Sequence, residues 1–160
     1  MKKHSNKIIV FNFLLLMGYF AYSVVKKETL LEEGTVTLLE LAPVDPRSLM
    51  QGDYMTLRYA IGEDLENDSV PNRGFLVFRD SAGIAKKIRL QEHEKPLHKG
   101  EKLLRFSHPT WRIQFGAESY FFQEGEAAKF EKAKFGGLKI DPDGNSLLIG
   151  LYDEKKKKIQ

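Results

Sequence analysis

The chain has 160 residues and no cysteine, which excludes disulfides, thiolate metal sites and cysteine nucleophiles. This length fits one domain once an apolar N-terminal segment is set aside. The formal net charge of +3 comes largely from lysines near both ends, while acids and bases nearly balance between them. Because nucleic-acid binding requires a basic face on a folded module, we expect no nucleic-acid partner.

Residues 8–25 are 18 uncharged, mainly apolar residues with lysines on both sides. A membrane-spanning helix needs about 20 apolar residues, within a range of about 17–25, so this segment is long enough to cross a bilayer. It predicts a signal-anchor helix at 8–25 within an N-terminal anchor of residues 1–27. The small residues Ala21 and Ser23 leave open the alternative of a cleaved signal peptide. We expect the anchor to be retained, because the apolar run is longer than that of an ordinary signal peptide.

The distribution of lysines predicts the orientation of this anchor. Lys2, Lys3 and Lys7 precede the apolar segment, whereas Lys26 and Lys27 on its other side are followed by three glutamates. Positively charged residues favour the cytoplasmic side of a membrane. We therefore expect a single-pass protein of the cytoplasmic membrane, with its N-terminus inside and its folded domain outside.

Residues 33–153 are expected to form one β domain, followed by a basic tail at 154–160. Turn residues separate short segments that have strand patterns. The predicted strands are 34–41, 54–61, 74–80, 84–90, 103–106, 110–115, 138–140 and 146–152. One helix is predicted at 124–133, with Ala127, Phe130 and Ala133 on its apolar face. About eight short strands and one helix favour a mainly β fold arranged as a closed or partly closed β-barrel.

The most distinctive stretch, residues 42–59, begins with a corner. Pro43 and Pro46 fix their own φ and remove two backbone donors, so a regular strand is not expected to run through them. Gly52 can take the positive φ of a tight turn, and Asp53 is expected to bind backbone donors where the next strand begins.

After this corner the sequence alternates with a period of two, as in a half-buried strand. One face carries Met55, Leu57, Tyr59 and Ile61, and the opposite face carries Tyr54, Thr56 and Arg58. Tyr59 is therefore expected in the core, whereas Tyr54 and Arg58, together with Arg47, are candidates for a surface binding site. A charged site made by Asp45, Arg47 and Asp53 is the alternative to a structural role for the corner.

The same stretch carries a family signature. Gly52-Asp53-Tyr54-x-x-Leu57-x-Tyr59 reproduces in full the motif that names the GDYxxLxY family of bacterial membrane-anchored proteins, which the chain resembles over residues 35–152. Further residues that resemble the family are Pro43, Asp45, Pro46, Arg47, Tyr120, Glu124, Gly125 and the segment 143–151. The resemblance implies a partner, because such proteins tend to be encoded beside multi-spanning membrane proteins. It implies no established activity.

No group of residues predicts a metal, a cofactor or catalysis. His93 and His98 lack the spacing of helical metal ligands, and His108 stands beside a proline. Gly136-Gly137 precedes a strand without the other residues of a phosphate-binding loop. We therefore expect no metal and no cofactor.

A membrane-bound serine protease is the sharpest enzyme hypothesis. Leu49-x-x-Gly52-Asp53 is similar to the segment that follows the nucleophile in type I signal peptidases, which are also anchored β domains outside the membrane. The serine of those enzymes corresponds to Val44, eight residues before Gly52, and Ser48 is too close to match. Without a nucleophile no acyl-enzyme can form, so a signal-peptidase-like β fold would be present without its chemistry.

The sequence therefore predicts a non-enzymatic accessory or binding domain outside the cytoplasm, acting with a multi-spanning membrane protein. Two alternatives remain: a divergent signal-peptidase-like hydrolase, and a binder of a small anionic or envelope ligand at Arg47 and Arg58.

Overall fold

A computed structural model of the chain describes residues 2–42, 50–51, 54–65, 70–109, 112–123 and 125–160. The described residues form two α-helices, α1 (Lys2–Glu33) and α2 (Ala127–Phe130), and a 3-10 helix (Ala60–Leu65). Their nine strands are β1 (Thr35–Glu40), β2 (Met50–Gln51), β3 (Tyr54–Thr56), β4 (Arg73–Ser81), β5 (Ile84–Gln91), β6 (Glu101–Ser107), β7 (Ser119–Phe121), β8 (Phe135–Ile140) and β9 (Ser146–Tyr152). The predicted mainly β fold behind a long N-terminal helix is confirmed.

Helix α1 is, within the described ranges, the one helix long and apolar enough to cross a membrane, and its apolar part is not buried against the domain. Near its C-terminal end Leu30 enters the core with 8% of its surface exposed. Lys139 of β8 donates hydrogen bonds to the carbonyl oxygens of Leu31 and Glu32, the second at 3.3 Å. Those carbonyls belong to the last turn of the helix, where intrahelical donors are missing. A side chain of the sheet therefore holds the end of the helix on the domain.

The larger sheet has six strands in the order β6-β4-β5-β1-β8-β9. Strand β1 runs parallel to β5 and antiparallel to β8, and the remaining neighbours are antiparallel. Its inward side chains include five leucines with almost no exposed surface, which are Leu39, Leu76, Leu104, Leu138 and Leu151. A second sheet has the order β2-β3-β7 and packs Met55 into the same core.

The two ends of the larger sheet approach each other without pairing as strands. The amide of Arg105, on β6, donates to the carbonyl oxygen of Gly144 at 2.8 Å, in the turn between β8 and β9. Gly144 has φ +80°, and a Cβ there would lie 3.1 Å from the Arg105 nitrogen, so this contact requires glycine. Within the described residues the sheets are open, and a hairpin turn, in place of a strand pair, brings the ends of the larger sheet together.

The basic tail folds back onto strand β9. The amide of Ile159 donates to the carbonyl oxygen of Leu151 at 2.8 Å, and Lys158 forms an isolated bridge with Tyr152. The Ile159 side chain packs against the core, whereas the lysines between residues 155 and 158 are exposed. Since the Tyr152 carbonyl faces the β8 side, where it accepts from the Lys134 amide, the tail covers the opposite, outer edge of β9.

Three predicted elements differ from the structure: the strand 54–61, which ends at Thr56 ahead of the 3-10 helix, the strand 110–115 and the helix 124–133. The described part of the predicted strand 110–115 forms only a bridge, in which Ser107 and Gln114 exchange two backbone hydrogen bonds of 2.8 Å. Helix α2 is shorter than the predicted helix 124–133, although Phe130 is buried as expected from its apolar face. Strands β2 and β7 were not predicted.

Candidate functional site

Two sequence blocks carry the family resemblance: the first is the motif that ends at Tyr59, and the second is the segment around Tyr120. Strands from both blocks form one small sheet. Strand β3 pairs with β7 in an antiparallel register that places Tyr54 opposite Phe121, Met55 opposite Tyr120 and Thr56 opposite Ser119. Directly opposite residues of an antiparallel pair point to the same face, so this register defines an inner and an outer face. Met55 lies on the inner face with 2% of its surface exposed.

Tyr59 ties this sheet to the core. Its side chain is 4% exposed, its hydroxyl donates to the Ala117 carbonyl oxygen at 2.5 Å, and its ring meets Phe115 edge-on with centroids 5.9 Å apart. Burial, and then the nearby carboxylate of Glu118, raise the pKa of Tyr59 well above its ordinary value. The hydroxyl therefore stays protonated and acts as a hydrogen-bond donor. The prediction that Tyr59 belongs to the core is confirmed.

The backbone continues the same connection. The amide of Leu57, itself buried, donates to the carbonyl oxygen of Glu118 at 2.6 Å, and the Glu118 carboxylate in turn accepts from the amide of Phe115. Leu57 and Tyr59 of the first block are thus held by the segment that leads into β7.

The Tyr59 ring packs directly against Gly136 of strand β8, where the absence of a side chain leaves space for it. A Cβ on Gly136 would lie 2.9 Å from Tyr59 Cε1, and one on Gly137, which faces the other way, would overlap the ring of Tyr152. Sequence reasoning treated the glycine pair only as a failed phosphate loop. The signal that could have indicated this role is two adjacent glycines inside a strand, which often mark a close approach of other groups.

Tyr120 links the small sheet to helix α2. Its ring packs against Phe130 with centroids 5.0 Å apart, and Phe122 packs against the same ring at 5.5 Å. Partial burial, and then the carboxylate of Glu126, raise the pKa of Tyr120. Gly125 has φ +85°, a conformation that favours glycine at the turn before the helix.

The outer face of the small sheet is made by Tyr54, Thr56, Ser119 and Phe121, and we call these four residues the outer aromatic face. The rings of Tyr54 and Phe121 contact each other with centroids 5.7 Å apart. Phe121 is 73% exposed, although burying a large apolar ring away from water is energetically favourable. The face presents apolar surface from both blocks of the family signature.

Arg58 is one of the predicted surface binding residues. It lines a cavity of about 130 Å³ with Arg112, Glu63 and Glu118, and Tyr54 is not part of that lining. Two cations and two carboxylates balance in charge there. The structure therefore does not bring these two predicted binding residues together in one cavity.

Seven residues that carry the family resemblance lie outside the described residues: Pro43, Asp45, Pro46, Arg47, Gly52, Asp53 and Glu124. The charged site suggested for Asp45, Arg47 and Asp53 stays a hypothesis.

A larger cavity of about 610 Å³ lies between the end of α1 and the β domain. We call it the junction cavity. The charged residues in its lining are Lys26, Lys27, Arg73, Arg105, Glu92 and Asp141. Sequence reasoning did not identify it, because its walls come from a helix, from strand ends and from turns that are distant along the chain.

A bidentate ion pair holds the loop between β5 and β6. Arg89 donates to both carboxylate oxygens of Glu101, at 2.8 and 2.9 Å, and to the Pro96 carbonyl oxygen at 2.9 Å. The His98 amide adds a hydrogen bond of 2.9 Å to the same carboxylate. The Arg89 guanidinium first, and then this amide, lower the pKa of Glu101 to about 2. The interactions order a loop and leave Glu101 ionised, unsuited to acid catalysis near neutral pH.

The histidines are not gathered into a ligand set in the described part of the chain. His93 and His98 are exposed, and His108 is partly buried. Among the residues that the structure describes, no three His, Asp or Glu side chains come close enough together to hold a metal ion.

Comparison with known proteins connects these features to one family. The model of the family described as GDYXXLXY protein matches residues 16–151. The match covers the apolar helix from its middle, the small sheet, the glycine pair and most of strand β9. No curated protein and no solved structure matches the chain.

Proposed function

The chain belongs to the GDYxxLxY family, and we propose that it is a non-enzymatic accessory domain that helix α1 anchors in the cytoplasmic membrane and that binds a multi-spanning membrane protein. The domain lies on the extracytoplasmic side. The observation that supports the proposal is that most described signature residues stabilise the fold, whereas Tyr54 and Phe121 form an aromatic surface.

Most described signature residues serve the fold. Leu57 and Tyr59 are buried and hydrogen-bonded, and Tyr120 packs against Phe130. None of these three aromatic or apolar side chains lines the junction cavity. These residues hold two segments of the chain together and so create one surface of fixed shape. Such a surface supports the role of a binding module.

That surface is the outer aromatic face. Phe121 and Tyr54 are held by pairing in β7 and β3, so the exposed Phe121 ring and the half-buried Tyr54 ring are presented by strands rather than by loops. Exposed aromatic side chains on a rigid element are typical anchors of protein interfaces. We propose that this face contacts an extracytoplasmic loop of the multi-spanning partner.

Site-specific photocrosslinking tests the proposal. A benzophenone amino acid replaces Phe121 in the full-length chain expressed in its native host, and Ile88 of β5, 42% exposed, is the matched control position on the larger sheet. Ultraviolet light should crosslink the position-121 variant to one multi-spanning membrane protein, identified by mass spectrometry. The position-88 variant should not give that product. Equal crosslinking from both positions, or none from position 121, would contradict the proposal.

The rival functions have less support. The cavity beside Arg58 balances cations with carboxylates, which does not favour a small anion. The hydrolase hypothesis concerns Val44 and Ser48, which lie outside the described residues, and it stays a hypothesis.

A further inference from the structure

We propose that the junction cavity binds the headgroup of an anionic phospholipid. The inference rests on the membrane anchor of the proposed function, but it is independent of the multi-spanning partner. It follows from where the cavity lies along the chain, from its charge and from the composition of its walls.

The position of the cavity follows from the length of the apolar segment. Residues 8–25 are 18 residues of helix α1, and at about 1.5 Å per residue they span about 27 Å, close to the hydrocarbon thickness of about 30 Å. Lys26 and Lys27 come directly after this segment, at the depth of lipid headgroups. Both lysines line the cavity, and so does Ser23, which lies within the span. The cavity therefore begins where the hydrocarbon ends.

The connection between helix and domain keeps this position. Leu30 is buried in the domain, Lys139 binds the carbonyl oxygens of the last helical turn, and the amide of Gly34 donates to the Leu30 carbonyl oxygen at 3.0 Å. The domain is thus held against the helix one to two turns beyond the predicted membrane boundary.

The charge of the cavity is suited to a phosphate. Its lining contains four cationic side chains, Lys26, Lys27, Arg73 and Arg105, and two carboxylates, Glu92 and Asp141. Asp141 already accepts hydrogen bonds from the amide and side chain of Asn145, at 2.8 and 2.7 Å.

Most cationic side chains of the cavity form no close ion pair with a described carboxylate. Arg105 stacks over the Phe75 ring at 5.0 Å and lies 3.7 Å from the Glu94 carboxylate. Lys26, Lys27 and Arg73 form no ion pair with any residue that the structure describes. A surface potential of this sign attracts anionic lipids to juxtamembrane lysines and arginines.

The rest of the lining is suited to an amphipathic ligand. Leu30, Phe75, Phe106 and Phe115 supply apolar surface, whereas Ser107 and Asn145 can hydrogen-bond to the hydroxyls of a glycerol headgroup. A volume of about 610 Å³ is within the range of about 300–1,000 Å³ that is usual for small-ligand sites. An anionic phosphate with a polar alcohol on one side and the start of an acyl chain on the other matches this arrangement.

Native mass spectrometry of the full-length chain in detergent micelles tests the inference. Phosphatidylglycerol and zwitterionic phosphatidylcholine with the same acyl chains are titrated separately. The double variant Lys27→Gln/Arg73→Gln removes two cavity cations, and Lys99→Gln/Lys132→Gln removes two exposed lysines that do not line the cavity. The wild-type chain and the control variant should bind phosphatidylglycerol more tightly than phosphatidylcholine. The cavity variant should lose affinity about fivefold for each cation removed, or about 25-fold for the pair.

Other outcomes would overturn the inference. These are equal binding of the two lipids by the wild-type chain, and equal loss of affinity in the cavity and control variants. Inorganic phosphate is the second probe: if it binds as tightly as phosphatidylglycerol, the site takes a free anion and not a lipid. Failure of the anchor itself is distinguished by alkaline carbonate extraction, which would release the chain from membranes.

Discussion

At the scale of single residues, Tyr59 makes three separate contributions to the fold. Its hydroxyl binds the segment before β7, its ring contacts Phe115, and it occupies the space above Gly136 on β8. One side chain therefore joins the small sheet to the large one.

Removing only the hydroxyl of Tyr59 should destabilise the domain. In Tyr59→Phe the buried carbonyl oxygen of Ala117 loses its partner, which should lower the free energy of unfolding by about 1–3 kcal/mol. Urea unfolding of the full chain in detergent, followed by near-ultraviolet circular dichroism, measures this change. Tyr54→Phe is the control, because that hydroxyl forms no hydrogen bond to a residue within the described ranges. Equal stability of both variants would mean that the bond to Ala117 contributes nothing.

Glu101 should make stability depend on pH in acid. Its pKa is lowered to about 2 in the folded chain, from an ordinary value of 4.5, so its contribution is present above the ordinary value and is lost as pH falls towards 2. Between pH 5 and about pH 2, Glu101→Gln should therefore lose less stability than the wild-type chain. Urea midpoints at a series of pH values measure this difference. Glu92→Gln, an exposed carboxylate in the adjoining loop, should follow the wild-type curve, and a Glu101→Gln curve parallel to both would rule out the linkage.

At the scale of elements, strand β8 has two adjacent glycines and packs between the rings of Tyr59 and Tyr152. Gly136 faces Tyr59 and Gly137 faces Tyr152, while the backbone is paired with β1 on one side and β9 on the other. A strand fixed from both sides cannot move away from a new side chain. Its two glycines are therefore a packing requirement.

Gly136→Ala should be destabilising for this reason. The added Cβ would lie 2.9 Å from Tyr59 Cε1, and overpacking of this kind costs about 1–3 kcal/mol. At Gly62 a Cβ would lie 3.5 Å from its nearest neighbour, an ordinary contact, so Gly62→Ala should leave stability unchanged or slightly raised. Thermal melts of the two variants test the comparison, and a Gly136→Ala melting temperature at or above that of Gly62→Ala would refute it.

Local pattern was sufficient for the strands that alternate clearly or flank a tight turn. The hairpin of β4 and β5 and the strand β9 were predicted nearly to their ends, and the alternation of Met55, Leu57 and Tyr59 correctly indicated the buried face. Strand β7 was missed because it is three residues long and exists through its pairing with β3, which no local pattern records. In the predicted strand 110–115 the described residues alternate, but only Gln114 finds a partner strand.

The site was less predictable than the fold. The alternation placed Tyr54 and Arg58 on one side of a strand, whereas the strand ends at Thr56 and Tyr54 is not part of the cavity that Arg58 lines. The outer aromatic face needed knowledge that Phe121 lies opposite Tyr54, and the junction cavity needed knowledge that the β8–β9 turn meets the end of α1. Both depend on contacts between residues far apart along the chain.

At the scale of the whole molecule, the orientation in the membrane can be tested with reporter fusions. Alkaline phosphatase joined through a flexible linker after Gln160 should be active, because the lysines before the apolar segment 8–25 favour the cytoplasmic side. The matching β-galactosidase fusion should be inactive. An active β-galactosidase fusion with inactive phosphatase would place the domain inside the cytoplasm and remove the basis for an extracytoplasmic partner.

The return of the C-terminal tail onto β9 affects how copies of the chain would meet if α1 anchors them in one membrane, as proposed. Such copies would diffuse in two dimensions with their domains at the same height, an arrangement in which bare sheet edges could pair with each other. The Ile159 amide donates a hydrogen bond to the outward-facing carbonyl oxygen of Leu151. The exposed lysines beside it would repel the lysines on the same edge of a second copy. We therefore expect the paired tail to hinder edge-to-edge association of copies, and its displacement from β9 to expose that edge.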